Sequence, residues 1–241
     1  MNFYKDKIIF TGGTGKFGNV FRAFYPFSNI FFPNKKEFNI LNIKKMERYL
    51  NKVKPKILIH AAALSRPMKI HETDINKSIT TNIIGTCNIV LICSKLKIKL
   101  IYFSTNYVYP FSKYPQKETD SVLPINNYAW SKLGGETAVQ MYKNSLILRI
   151  FMSEEPFVHK GAFTDVIANF VYHREVATYI PKIINHTGIL NVGGKIQSVY
   201  NFAKTTNKRV KMILAKKILK KKYFKYQIID TKKLTKLLNK L

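Results

Sequence analysis

The chain has 241 residues, 46% of them hydrophobic and 13% aromatic, enough apolar surface to offset chain entropy and to exclude a disordered polypeptide. Its length suits one large domain, or one domain carrying a lobe. The formal net charge of +28 raises nucleic acid or an anionic surface as partners, but lysine carries nearly all of it.

The arginines are Arg22, Arg48, Arg66, Arg149, Arg174 and Arg209, whereas base readout and bidentate phosphate recognition favour arginine. Lysine spread over many helix faces, beside abundant Ile and Asn, reads as a compositional bias of the source, and no nucleic-acid partner is expected. The densest run, Lys216, Lys217, Lys220, Lys221, Lys222 and Lys225, is the candidate for an anionic polymer or surface. No stretch approaches the roughly 18 apolar residues of a membrane span, and the first residues enter a strand without the apolar run of a leader. A cytoplasmic location is expected. Cys87 and Cys93 lie on different faces of one helix and are read as reduced core thiols.

In chain order, residues 7–11 form a short apolar run ending in glycines, a buried parallel strand feeding a turn. A helix follows from Lys16, then a strand over 29–32, a helix over 43–53, and a strand over 56–60 introduced by Pro55. The pattern repeats with a long helix over 75–95, a strand over 99–104, a loop rich in Pro and Tyr, a helix over 127–142 and a strand over 145–150. This alternation predicts an α/β fold, a Rossmann-type doubly wound parallel sheet. Beyond Arg149 regularity weakens: a short strand is expected at 188–192 and helices at 199–206 and 230–241. Residues 151–241 are therefore expected to form a small, shortened C-terminal lobe over the carboxyl ends of the strands, rather than an independent domain.

Between the first strand and helix stands Thr11-Gly12-Gly13-Thr14-Gly15-Lys16-Phe17-Gly18. Gly12 permits the tight turn, Gly15 admits a pyrophosphate to the backbone, and Gly18 allows close packing of helix on strand, while helix amides face the negative charge. Residues 1–150 are accordingly expected to form an NAD(P)-binding domain. After the second strand an acid would hold ribose hydroxyls and a base would pair with the extra phosphate of NADP. Here stand Asn34, Lys35 and Lys36, with Glu37 close by, so NADP(H) is favoured over NAD(H). Asn39 and Ile40 come next, at the adenine.

Tyr128-Ala129-Trp130-Ser131-Lys132 places a phenol and an ammonium one turn apart on one helix face. A tyrosine with its ordinary pKa of about 10 exchanges protons poorly near neutrality, and an adjacent cation stabilises its phenolate.

With the glycine loop, His60-Ala61-Ala62-Ala63, Asn82, Ser104-Thr105-Asn106-Tyr107-Val108-Tyr109 and Tyr-Ala-Trp-Ser-Lys-Leu-Gly-Gly-Glu in this order, the chain resembles the extended short-chain dehydrogenase/reductases, nearest the dTDP-4-dehydrorhamnose reductase group. The resemblance covers residues 7–150. It implies that Thr105 hydrogen-bonds a substrate oxygen, Tyr128 exchanges the proton, and Lys132 grips the nicotinamide ribose while tuning Tyr128. Ala61, Ala62, Ala63 and Asn82 are expected with the cofactor set. His60 is expected to be structural, and no metal site is expected.

Dehydratases of the superfamily place an Asp-Glu pair after the catalytic Thr, and epimerase/reductases a cysteine at Tyr107. Asn106 and Tyr107 disfavour both, leaving simple ketone reduction; the resemblance implies that the ketone is the keto group of a nucleotide-activated 4-keto-6-deoxy sugar, in polysaccharide synthesis. Asn106 also replaces the Asp usual in dehydrorhamnose reductases. Arg66 and Met68, with Thr105 and Asn106, are the candidates for touching this sugar-nucleotide partner; the candidate assembly is a homodimer. The alternatives are a non-catalytic NADP-binding regulatory subunit, favoured by the shortened lobe, and another epimerase/dehydratase of the superfamily.

Overall fold

The structure is a computed structural model and describes residues 1–239. Six strands make one parallel sheet, ordered Gly188–Val192, Ser145–Ile150, Lys99–Phe103, Ile57–His60, Ile8–Thr11, Ile30–Phe31. Alternate side chains of each strand feed two cores. Ile8 and Phe10, Ile57 and Ile59, Ile101 and Phe103 point to one face; Ile9, Leu58, Leu100 and Tyr102 point to the other. That explains the unbroken apolar runs, since a sheet covered on both sides has no wet face to mark with polar residues.

Helices Lys16–Phe24, His173–Ile183 and Lys232–Leu238 cover the first face; Ile43–Val53, Gly85–Lys95 and Asn127–Gln140 cover the second. The helix over 43–53 has the expected bounds because Asn42 caps it, its Oδ1 accepting from Lys45 N at 2.9 Å.

Three expectations shift. The long helix over 75–95 is broken into Ile75–Ser78, a π-helical turn Ile79–Ile84 and Gly85–Lys95. The wide turn carries Asn82, whose fully buried amide is spent on Leu64 and Ser131. The strand Gly188–Val192 is no part of a lobe: it pairs with Ser145–Ile150 at the sheet edge, Leu190 against Leu148. The last helix runs Lys232–Leu238, and of the expected 230–241 residues 240 and 241 lie outside the described residues.

The lobe itself is made of strands of two to four residues. Gly161–Phe163 pairs with Lys211–Ile213, and Ile167–Ala168 lies between Gln197–Ser198 and Tyr226–Ile229, which also pairs with Ser112–Gln116. Its core is aromatic: Phe202 stacks on Tyr172 at 4.1 Å, and Phe151 lies 3.8 Å from Phe170.

Candidate active site

The strands Ile8–Thr11 and Ile57–His60 end side by side where the chain connections diverge to opposite halves of the sheet. A cleft of about 790 Å³ opens there, beyond the carboxyl ends. Thr11 Oγ1 sits 2.9 Å from His60 Nδ1 and accepts from Ala62 N at 3.3 Å, tying the two strand ends together. The other ring nitrogen of His60 meets Thr86 Oγ1 at 3.1 Å. Burial, helped by the charge of Lys132, pushes the imidazole down to about 3, so it stays neutral and serves as scaffold.

The glycine loop is built for close approach. Gly12 has φ +78°, and a Cβ there would lie 2.7 Å from Ala62 N. A Cβ on Gly18 would run into the carbonyl oxygen of Gly12. Gly15 caps Lys16–Phe24, and Thr14, Lys16 and Phe17 line the cleft beside it. This cradle would hold a pyrophosphate on the first amides of the helix.

At one end of the cleft lie Lys35, Asn39 and Ile40. Glu37 is turned away, its Oε2 accepting from Asn34 N at 2.8 Å. Ala61, Ala62 and Ala63 form the floor, with Arg66 and Met68 beyond them. Asn82, expected among the cofactor residues, does not line the cleft; its bonds to both the Leu64 backbone and Ser131 Oγ brace the floor against the helix Asn127–Gln140.

Asn126 caps the helix Asn127–Gln140, accepting from Ala129 N at 2.8 Å, and Asn127 Nδ2 donates to Glu72 Oε2 at 2.5 Å. Tyr128 in the first turn is thereby fixed, its ring 5.1 Å from that of His71 and 6.4 Å from that of Tyr107. One turn on, Lys132 is buried with its Nζ 4.2 Å over the Tyr102 ring, and among the described residues nothing hydrogen-bonds the ammonium. Thr105 Oγ1 accepts from Tyr107 N at 3.2 Å, which leaves its hydroxyl proton to donate elsewhere. Asn106, buried on the cleft wall, has an Nδ2 with no partner.

Protonation departs from expectation. Burial, with Tyr107 adding to it, raises the Tyr128 phenol above its ordinary value, where an adjacent cation was expected to lower it. Lys132 is desolvated as well: burial brings its ammonium down to about 7, opposed by Glu136 one turn further on. Glu136 is clamped by Arg149, whose Nη2 and Nε donate at 2.6 and 3.0 Å, and by Ser104 Oγ at 2.5 Å.

Sequence reasoning missed the opposite wall: Tyr107 as a packing partner, and Glu154, His159, Phe170 and His173. Glu154 joins Lys16 at 2.7 Å and approaches Arg66 at 3.8 Å, closing an ionic clasp across the cleft. The signal available was the rarity of acids, 13 against 41 basic residues, which makes the pair Glu154-Glu155 unusual.

The RmlD substrate binding domain family matches residues 6–175. The chain belongs to that family. Among relatives, it is similar to methionine adenosyltransferase 2 subunit beta of Xenopus laevis, 30% identical over 46% of this chain and 34% of that protein. It is also similar to dTDP-4-dehydrorhamnose reductase of Salmonella typhimurium, 29% identical over 55% of this chain and 46% of that protein. The chain thus spans less than half the length of either curated relative it matches. In fold it is similar to dTDP-4-dehydrorhamnose reductase of Bacillus anthracis in complex with NADP, with a TM-score of 0.83, 23% identity, and cover of 98% of this chain and 93% of that one. No helix among the described residues of this family member is long and apolar enough to cross a membrane.

Proposed function

We propose that the protein is an NADPH-dependent reductase acting on the keto group of a nucleotide-activated 4-keto-6-deoxy sugar. The observation that carries this is the one cleft that Thr105, Tyr128 and Lys132 line together with the glycine cradle. The cradle has no room for a Cβ at Gly12 or Gly18, and among the described residues neither the Lys132 ammonium, which lies over the Tyr102 ring, nor the Asn106 Nδ2 makes a hydrogen bond, so the donor set fits a dinucleotide and an oxygen-rich substrate. When bound, the nicotinamide supplies the hydride. Thr105 donates its free hydroxyl proton to the ketone oxygen and orients it. Tyr128, kept protonated by burial, gives its proton to the oxygen as negative charge develops there. Lys132 would hold the ribose hydroxyls of the cofactor and, titrating near neutrality, would return a proton to Tyr128. Lys35 on the cleft wall, with Glu37 engaged by Asn34, supports NADP over NAD. Cys87 and Cys93, both free, fit a reducing cytoplasm.

A second function has a specific support: the likeness to a protein named as a subunit of methionine adenosyltransferase favours a dinucleotide-binding subunit without turnover. The deciding measurement is nicotinamide absorbance with NADPH and a panel of nucleotide-linked 4-keto sugars. Turnover lost in Tyr128→Phe establishes the reductase. Tight NADPH binding with no turnover on any ketone establishes the subunit.

A further inference from the structure

The lobe carries a surface that the cleft does not use. Lys211, Lys216, Lys217, Lys220, Lys221, Lys222 and Lys225 fall within residues 211–225 and are all exposed, and no acidic residue occurs between Glu175 and Asp230. Among these lysines stand Met212, 69% exposed, Leu214, 42%, and Ile218, 58%.

The segment is held in place from beneath. Asp165 accepts from Ala215 N at 2.7 Å and Lys216 N at 3.0 Å, Tyr223 OH donates to the Asp165 carbonyl at 3.0 Å, and Phe224 stacks on Phe111 at 3.8 Å. Ala215 is buried, and Leu219 and Tyr223 pack on the lobe core. The contacts that anchor the lobe are thus made by other residues, while the lysines and the three aliphatic side chains face outward. Mutual repulsion and exposed apolar surface both cost free energy in solution. Both costs are relieved at one kind of partner: an anionic lipid surface takes up lysine charge and admits aliphatic side chains at the headgroup boundary. Nucleic acid fits less well, because stacking needs free aromatic faces and Phe224 is covered by Phe111, while Arg209 is the one arginine in the acid-free stretch.

We propose that residues 211–225 dock the protein peripherally on an anionic phospholipid surface. The test is cosedimentation with phosphatidylcholine vesicles with and without phosphatidylglycerol, at about 0.1 M salt. Binding is expected only with phosphatidylglycerol. The triple variant K220Q/K221Q/K222Q should weaken it on the order of 100-fold. The control triple K44Q/K52Q/K143Q, with the same net charge and exposed positions elsewhere, should bind as the parent does. Met212→Ser with Ile218→Ser should weaken binding without altering its salt dependence. Equal loss in the two lysine triples would overturn the proposal in favour of a general field of the whole chain. Absence of binding to phosphatidylglycerol vesicles would overturn it too, as would capture by a single-stranded oligonucleotide that the vesicles cannot displace.

Discussion

The sheet half and the lobe are held together by different means. In the sheet, the four central strands, of four to six residues, pair in register with every residue buried, and each contributes alternately to two continuous apolar cores. In the lobe, strands of two to four residues are pinned by stacked aromatics and by side chains that bond backbone, such as Asn169, which donates to Ile229 O and accepts from Ile229 N. A regular sheet can place a catalytic group to within a hydrogen bond, whereas a patchwork of side-chain contacts can change its surface without disturbing the chemistry behind it. Arg149 stands at the seam: it clamps Glu136 of the helix Asn127–Gln140 and donates to Tyr109 OH at 2.7 Å, which donates to Asn191.

The sharpest way to separate the two regions is Tyr128→Phe. It should lower kcat by about 10²- to 10⁴-fold while NADPH affinity, measured by calorimetry, stays unchanged. Breaking the seam comes next. Glu136→Leu leaves a buried Arg149 charge unpaired and should cost about 3–5 kcal/mol in denaturant unfolding, with much of it recovered in the Glu136→Leu, Arg149→Leu double variant. In the lobe, Phe202→Ala removes a buried ring stacked on Tyr172 and should cost about 3 kcal/mol, with kcat/KM for the ketone falling more than NADPH affinity. Equal losses of both would show that the regions are not separable.

Titration gives a smaller effect. The folded pKa of Lys132 is about 7 against an ordinary 10.5, so between these values the unfolded chain binds more protons and stability should rise with pH. Lys132→Met should flatten that rise, leaving the part due to Lys99, whose burial brings it to about 8. A slope unchanged in Lys132→Met would refute the buried, half-discharged lysine. The smallest effect belongs to Glu154→Gln: its partner Lys16 is 61% exposed, so stability should change by about 1 kcal/mol or less, while NADPH binding tightens modestly as Lys16 is released.

Much of the site was legible. The glycine spacing between a strand and a helix, and the Tyr-Lys spacing on one helix face, are local patterns, and the residues they single out line one cleft. The bracing partners of Asn82 were not legible, because its position in a helix does not reveal a π-helical turn that aims it at Leu64 and Ser131. Glu154 and His173 escaped because each directly follows a two-residue strand too short to show a period, His173 as the first residue of the helix His173–Ile183.

What the amino-acid sequence determined by itself is the alternation of buried strands and amphipathic helices, hence the parallel sheet, the cradle at its switch point and the pairing of Tyr128 with Lys132. Those follow from periodicity, glycine sterics and one helical turn, all local quantities. Only the tertiary structure decided that residues 188–192 complete the sheet, that Glu154 clasps Lys16, and that Lys132 and Tyr128 are both buried deeply enough for desolvation to dominate their titration. Each of these depends on what is packed around a residue from distant parts of the chain, and desolvation in particular has no counterpart in spacing along the sequence.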